Sequence, residues 1–460
     1  MQISPAIFRE YDIRGTAETD LADPVAEAVG KAFGTWLRRR GVKKISVGGD
    51  VRQSTARIEK AAVKGLRWAG IDVAMIGTVT TPMLYWSVPG LSLGGGLMIT
   101  GSHNPKDMNG LKLSIGTSTL YGDEIRELQR MILEDDLEEA HSQGRLERID
   151  ISGRYLDMLT TKIKLGPRKL KVVADSGNGT AGLLIRPFLE AIGCEVVSLF
   201  EEPDGTFPNH HPDPQKRENL EILMDTVIRE NADLGIAFDG DADRLGVVDD
   251  RGEMVWGDIL MALYWREILP KHPGADAIVE VKCSQSLIDE VKRLGGKPLF
   301  WKSGHSLIKA KMKEIGAVFA GELSGHFFFA DEYYGFDDSF YAAGRLLRTL
   351  STSNESLSQM LSSVPAYPST AEIRVDCPDE KKFAVVDAIR DKALKDHEAI
   401  TVDGVRILYP EGWGLIRASN TQPVIVTRCE GRDGEALRKI ASDVRARILA
   451  EGLADFEWTY

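Results

Sequence analysis

The sequence predicts an α/β fold: three topologically related α/β domains plus a smaller C-terminal α+β domain around a central active-site cleft. Three observations carry this prediction. Short apolar runs alternate with polar or glycine-containing loops and helical stretches. The same strand, helix, strand, loop unit recurs three times before residue 366. Residues 367–460 then read strand, helix, strands, helix, a different pattern.

In chain order, "KISVGGD" (44–50), "LKVVAD" (170–175) and "AIVEVK" (277–282) read as buried strands. A later strand follows each: "GLMIT" before "GSHNP", "LGIAF" before "DGDADR", and "AVFA" before "GELSGH". The stretch 123–140 reads as a helix with Ile125, Leu128 and Ile132 on one stripe, and its polar tail sets a first boundary near 150. "RGEMVWGD" places a second boundary near 255, and the proline-spaced "SSVPAYPSTAEI" a third near 366. The expected domains are therefore 1–150, 151–254, 255–366 and 367–460. The chain closes on an amphipathic helix carrying Leu437, Ile440, Val444 and Ile448. In open parallel sheets a ligand sits beyond the carboxyl ends of the strands, so the three repeated loops are expected to converge on one cleft.

The 460 residues include 57 basic and 69 acidic side chains, a net charge of −12. That balance argues against nucleic acid or an anionic membrane as partner. Four separated cysteines, with no CxxC pair, read as reduced structural residues of a cytoplasmic protein and argue against zinc. No secretory leader is read at the start, and no apolar run reaches the ~18 residues of a spanning helix.

The loops carry the chemistry. In "DGDADR" (239–244), Asp239, Asp241 and Asp243 alternate along what reads as an extended loop, so that three hard oxygens face one Mg²⁺, with the Arg244 guanidinium beside them. An EF-hand is disfavoured, because its sixth position requires glycine where this chain has Arg244 and its twelfth glutamate where this chain has Asp250; a solvated acidic turn is the plain alternative, against which the mutual repulsion of three carboxylates favours a bound cation. A divalent cation beside an arginine suits phosphoryl chemistry, which makes Ser102 of "TGSHNP" a candidate phosphoryl carrier; capping of a following helix is the alternative. Glu322, Ser324 and His326 of "GELSGH" fall at period two, either one sugar-binding face or a solvated loop. Arg417, Ser419, Asn420 and Thr421 of "RASNTQP", between two strands, form either a phosphate site or a polar turn. His210 and His211 lack a third metal ligand at suitable spacing, and "DSGNGTAG" (175–182) lacks nucleotide-loop spacing and reads as a tight turn.

"TGSHNP", "DGDADR", "GELSGH" and "RASNTQP", in this order, resemble the four active-site loops of the α-D-phosphohexomutase family. "GELSGHFFF" with "YYGFDDSFYAA" is most similar to its phosphomannomutase/phosphoglucomutase branch. The resemblance extends to "FREYDIRG", "TTPML", "NGLKL", "PDGTFPNHHPDP", "VEVKCS" and "KSGHSLIK", and so covers essentially the whole chain. It implies a reversible 1,6-phosphoryl shift on mannose and glucose phosphates through phosphorylated Ser102 and a hexose 1,6-bisphosphate. It also implies that the Ser102 phosphate joins Asp239, Asp241 and Asp243 on Mg²⁺, and that Glu322 and Ser324 grip O3 and O4 of the sugar. His103, Lys112 and His305 match the family's acid/base or orienting positions, and Tyr11, Arg14 and Lys282 match further substrate contacts. Glucose 1,6-bisphosphate, or its mannose counterpart, is the expected activator, and a monomer or weak homodimer the expected assembly. Two alternatives stay open. One is the phosphoglucosamine mutase branch, which usually carries alanine where this chain has Gly101; the other is a catalytically silent phosphosugar sensor.

Overall fold

The computed structural model describes residues 3–420 and 422–459. They divide into two units, 1–257 with 324–360 and 258–323 with 361–460.

In the first unit, the strand Lys44–Gly49 lies between Asp72–Thr78 and Gly95–Ile99, all parallel. Met108–Ile115 then pairs antiparallel with Gly95–Ile99, and Ile13–Thr16 antiparallel with Met108–Ile115. The second sheet repeats the motif. Lys171–Asp175 lies between Glu195–Leu199 and Leu234–Phe238, both parallel to it, and Leu245–Val248 returns antiparallel. In the second unit, Asp276–Glu280 likewise lies between Lys297–Trp301 and Phe319–Gly321, again parallel. The three repeats thus share the order second, first, third strand. In the first two repeats the sheets are mixed rather than wholly parallel. The strand after the serine or aspartate loop folds straight back on its predecessor, as a short connection allows and a parallel crossover does not.

The C-terminal sheet is antiparallel throughout, in the order Ile373–Asp376, Val424–Gly431, Gly412–Ala418, Val405–Tyr409, Ala399–Ile400. The helix Gly434–Leu449 covers it, burying Leu437, Ile440, Val444 and Ile448 at the expected spacing.

Helices Asp23–Arg39 and Thr55–Trp68 pack closely because glycine stands at their crossing: a Cβ on Gly30 would lie 2.1 Å from Ala62 O, and one on Gly65 2.2 Å from Glu27 O. The helix expected over 123–140 ends at Leu133. Asp135 adopts φ 55°, and Arg130 gathers Glu127, Glu134 and Asp136 around the turn, so the acidic tail is used in ion pairs instead of further helical turns. Ile125, Leu128 and Met131 are the buried stripe, with Ile132 partly buried at its edge. Among the described residues no helix is long and apolar enough to cross a membrane.

Candidate active site

Ser102 follows the strand Gly95–Ile99, in a loop with no helix behind it, which removes the capping alternative. It adopts φ 49°, a left-handed conformation costing a non-glycine residue roughly 1–2 kcal/mol, and is almost fully buried. Its Oγ donates to Asp239 Oδ2 at 2.6 Å and lies 3.0 Å from His103 Nδ1.

Asp239, Asp241 and Asp243 are buried and place one oxygen each within 4.8 Å of the others. They converge through a turn, with Ala242 at φ 57° and its amide donating to Asp239 O, rather than along the expected extended loop. The carboxylates are held from several directions. Asp239 Oδ1 accepts from the amides of Asp243 and Arg244 at 3.1 and 3.2 Å. Asp241 Oδ2 accepts from Thr81 Oγ1 at 2.5 Å and Lys112 Nζ at 2.8 Å, and Lys112 also binds Asp243. Thr81 opens the helix Thr81–Gly90, whose N-cap is Thr80 and whose second residue is Pro82, so a helix start is aimed at the aspartate turn.

Burial, then the neighbouring Asp243 and Asp241 charges, push Asp239 well above the ordinary carboxylate range. Burial opposes ionisation of Lys112 and Asp243 too, but their mutual attraction outweighs it, raising Lys112 and lowering Asp243. Asp241 Oδ1 and Asp243 Oδ1 are buried without a hydrogen-bond partner. Buried acceptors are rarely left so, and three carboxylates with hard oxygens to spare fit a divalent cation such as Mg²⁺.

Arg244 Nε donates to His326 Nε2 at 3.0 Å. The other ring nitrogen of His326, Nδ1, lies 3.0 Å from Asp337 Oδ2. Asp243, His326 and Asp337 likewise bring one ligand atom each within 4.8 Å of the others, and they share Asp243 with the aspartate set. His103 is pushed well below the usual histidine range by burial and by Arg244 and Arg14, and is held neutral. Arg14 pairs with buried Asp12 at 2.5 Å; Tyr11 beside it is half-buried.

In the second unit, buried Glu280 accepts from Ser303 Oγ and from Leu323 N (3.0 Å), and lies 3.3 Å from Lys282 Nζ. Burial disfavours the Lys282 cation, yet Glu280 and Glu372 hold it above its ordinary value. Glu322 Oε1 accepts from Gly304 N at 2.8 Å, next to His305, which begins the helix His305–Ile315. Arg417, at the end of Gly412–Ala418, donates through Nε to Asp403 Oδ2 at 2.9 Å, and Ser303 N donates to the same oxygen at 3.0 Å. Ser419 is buried, Asn420 is half-buried, and Thr421 lies outside the described residues.

The "GELSGH" segment turns at Leu323 and Ser324, with Gly325 at φ 86°, so the expected single extended face is not formed. A Cβ on Gly325 would lie 2.5 Å from Leu245 O, which leaves glycine as the residue that fits. Glu322 and Ser324 fall in different units. Thr81, Glu280, Asp337 and Asp403 escaped the sequence reading. For Glu280 a signal was present, a carboxylate inside an otherwise apolar strand.

Models of the phosphoglucomutase/phosphomannomutase family match four successive segments: α/β/α domain I over residues 5–139, domain II over 153–252, domain III over 256–367 and the C-terminal domain over 372–447. The chain is 45% identical over 445 residues to a phosphomannomutase/phosphoglucomutase of Pseudomonas putida, covering 96% of each. It is 41% identical over 449 residues to a Neisseria gonorrhoeae phosphoglucomutase, covering 97% of each. A crystal structure of a phosphoglucomutase/phosphomannomutase family protein from Burkholderia thailandensis superposes with a TM-score of 0.93 at 40% identity over the whole of both chains.

Proposed function

The chain belongs to the phosphoglucomutase/phosphomannomutase family and is an enzyme of phosphoryl transfer on hexose phosphates, and we propose the residues by which it acts. Ser102 is the phosphoryl carrier. The observation that carries this reading is the Ser102 hydroxyl, 2.6 Å from Asp239, beside two carboxylate oxygens without partners.

In the forward half-reaction the Ser102 phosphoryl group passes to the free hydroxyl of a hexose 1- or 6-phosphate, breaking the Oγ–P bond and forming a sugar O–P bond. In the return half, Ser102 Oγ attacks the other phosphate of the 1,6-bisphosphate and gives up its proton, while the sugar O–P bond breaks and the released sugar oxygen takes up a proton. The hydroxyl proton points at Asp239 Oδ2, and His103, with Nδ1 3.0 Å from Oγ, is suited to orient that hydroxyl. Lys112, held charged between Asp241 and Asp243, serves as a fixed cation and not as a base. Asp239, Asp241, Asp243 and the seryl phosphate would hold Mg²⁺, which when bound would draw electron density from the phosphoryl group. Arg244, oriented by His326, offers its guanidinium to the phosphoryl oxygens.

Glu322 and Ser324 bind the sugar O3 and O4, with His326, His305, Lys282, Tyr11 and Arg14 as further contacts. Arg417, Ser419, Asn420 and Thr421 hold the phosphate that is not reacting. Contacts confined to O3 and O4 do not read C2, where mannose and glucose differ, so both sugars are substrates. Alanine at 101, the residue the glucosamine branch usually carries, would put a Cβ 2.5 Å from the Arg52 guanidinium. The functional division follows 1–150 (phosphoserine loop), 151–254 (metal loop), 255–366 (sugar loop) and 367–460 (phosphate loop). We assign the enzyme to the cytoplasm, as a monomer or weak homodimer activated by glucose or mannose 1,6-bisphosphate.

The test is conversion of mannose, glucose and glucosamine 1-phosphates to their 6-phosphates, with Mg²⁺ and a trace of glucose 1,6-bisphosphate, followed by phosphorus NMR. Comparable turnover of the first two and little of the third is expected. Preference for the third would reassign the substrate.

A further inference from the structure

We propose that Arg52 is a positioning residue for phosphoryl transfer, fixing the Ser102 loop by binding three of its backbone carbonyls and that of Met108, the first residue of the following strand. The proposal rests on the reading of Ser102 as the phosphoryl carrier.

The loop between the strands Gly95–Ile99 and Met108–Ile115 has no helix or sheet of its own, and among the described residues no backbone donor reaches the carbonyls of Ser102 and Asn104. Arg52 reaches both. Its Nη2 donates to Ser102 O at 2.7 Å and Asn104 O at 2.6 Å, and its Nη1 to Pro105 O at 2.6 Å and Met108 O at 3.0 Å. The side chain is fully buried and ion-paired to Asp50 at 3.3 Å. Asp50 in turn accepts from Gly101 N at 3.0 Å and Thr100 Oγ1 at 2.8 Å, on the other side of the same loop. Phe207 lies 5.3 Å from the guanidinium, and the adjoining Gly205 presses on Val51 O, where a Cβ would stand 2.3 Å away.

This arrangement holds Ser102 at a φ of 49° that its own side chain does not favour. A planar fork of five donors can bind four carbonyls at once, whereas an ammonium group cannot match that geometry. Freed from the clamp, the serine backbone relaxes and Oγ moves from its place beside Asp239. A displacement of about 1 Å is enough to cost on the order of 10²-fold in rate.

The experiment uses the full chain with Mg²⁺ and glucose 1,6-bisphosphate. Phosphate incorporation at Ser102 is timed by quenched-flow mass spectrometry, and the Kd for glucose 1-phosphate is measured by calorimetry. Arg52→Lys and, independently, Gly101→Ala are expected to slow incorporation about 10²-fold, with Kd changed less than threefold and a native circular dichroism spectrum. Incorporation at the wild-type rate in both folded variants would overturn the proposal. So would failure of both to fold, which would confine Arg52 to stability. If the wild-type chain itself acquires no phosphate at Ser102, the carrier reading fails instead, and the two failures are thereby told apart.

Discussion

Ser102 Oγ and Asp239 Oδ2 meet at 2.6 Å across 137 residues of sequence. Each residue stands just past the third strand of its repeat, Gly95–Ile99 and Leu234–Phe238 respectively. Gly240 permits the approach, since a Cβ there would lie 2.5 Å from Ser102 O. A hydroxyl that donates to a buried carboxylate marks where a seryl phosphate and a metal carboxylate would share one cation.

With Ser102 as the proposed phosphoryl carrier, its replacement by alanine would remove the acceptor of the phosphoryl group and leave the proposed sugar and phosphate contacts in place. Turnover of glucose 1-phosphate, read by phosphorus NMR, should fall below detection, while its Kd by calorimetry changes less than threefold. Undiminished turnover would remove Ser102 from the mechanism.

Lys112 neutralises two buried carboxylates, Asp241 and Asp243. Lys112→Met leaves them without that partner and should destabilise the metal-free protein by about 3–5 kcal/mol in urea unfolding. Added Mg²⁺ should recover part of this loss, because a cation then stands in for the ammonium group.

The unpartnered Oδ1 atoms of Asp241 and Asp243 predict a metal dependence. EDTA should abolish turnover and Mg²⁺ restore it. Asp241→Asn should weaken Mn²⁺ binding, measured by calorimetry, at least tenfold; an unchanged affinity would place the cation elsewhere.

In the proposed cycle Arg417 would offer a charged contact to the phosphate that both half-reactions retain. Its loss should raise KM for glucose 1-phosphate about 10- to 100-fold, the worth of a charge-assisted hydrogen bond, with a smaller change in kcat. Equal losses in both would mean that Arg417 acts on the transition state.

Glu372 is depressed from an ordinary 4.5 to about 2: burial opposes its charge, but Lys282, Arg374 and Arg417 outweigh that effect. A depressed acid contributes stability above its unfolded pKa, and this contribution is lost as pH falls through the folded one. Wild type should therefore exceed Glu372→Gln by about 3 kcal/mol at pH 7. The gap should close between pH 4.5 and about 2 in chemical unfolding. A pH-independent gap would show that Glu372 acts by packing alone.

Local chemistry wrote the strands, the closing helix and the four loops directly into the sequence. Buried strands read as apolar runs, Leu437, Ile440, Val444 and Ile448 repeat at helical period, and three aspartates at alternate positions announce an oxygen-rich site. The tertiary structure decided what those loops touch. Arg52 gathering four carbonyls, Thr81 and Lys112 reaching Asp241, and Arg244 leaning on His326 all join residues at least 50 positions apart, or carbonyls that carry no sequence signal. Periodicity reports which face of an element is buried, because that depends on near neighbours. Partners across strand ends depend on the register and order of sheets, which are fixed only when the core packs and no buried polar group can be left unpaired.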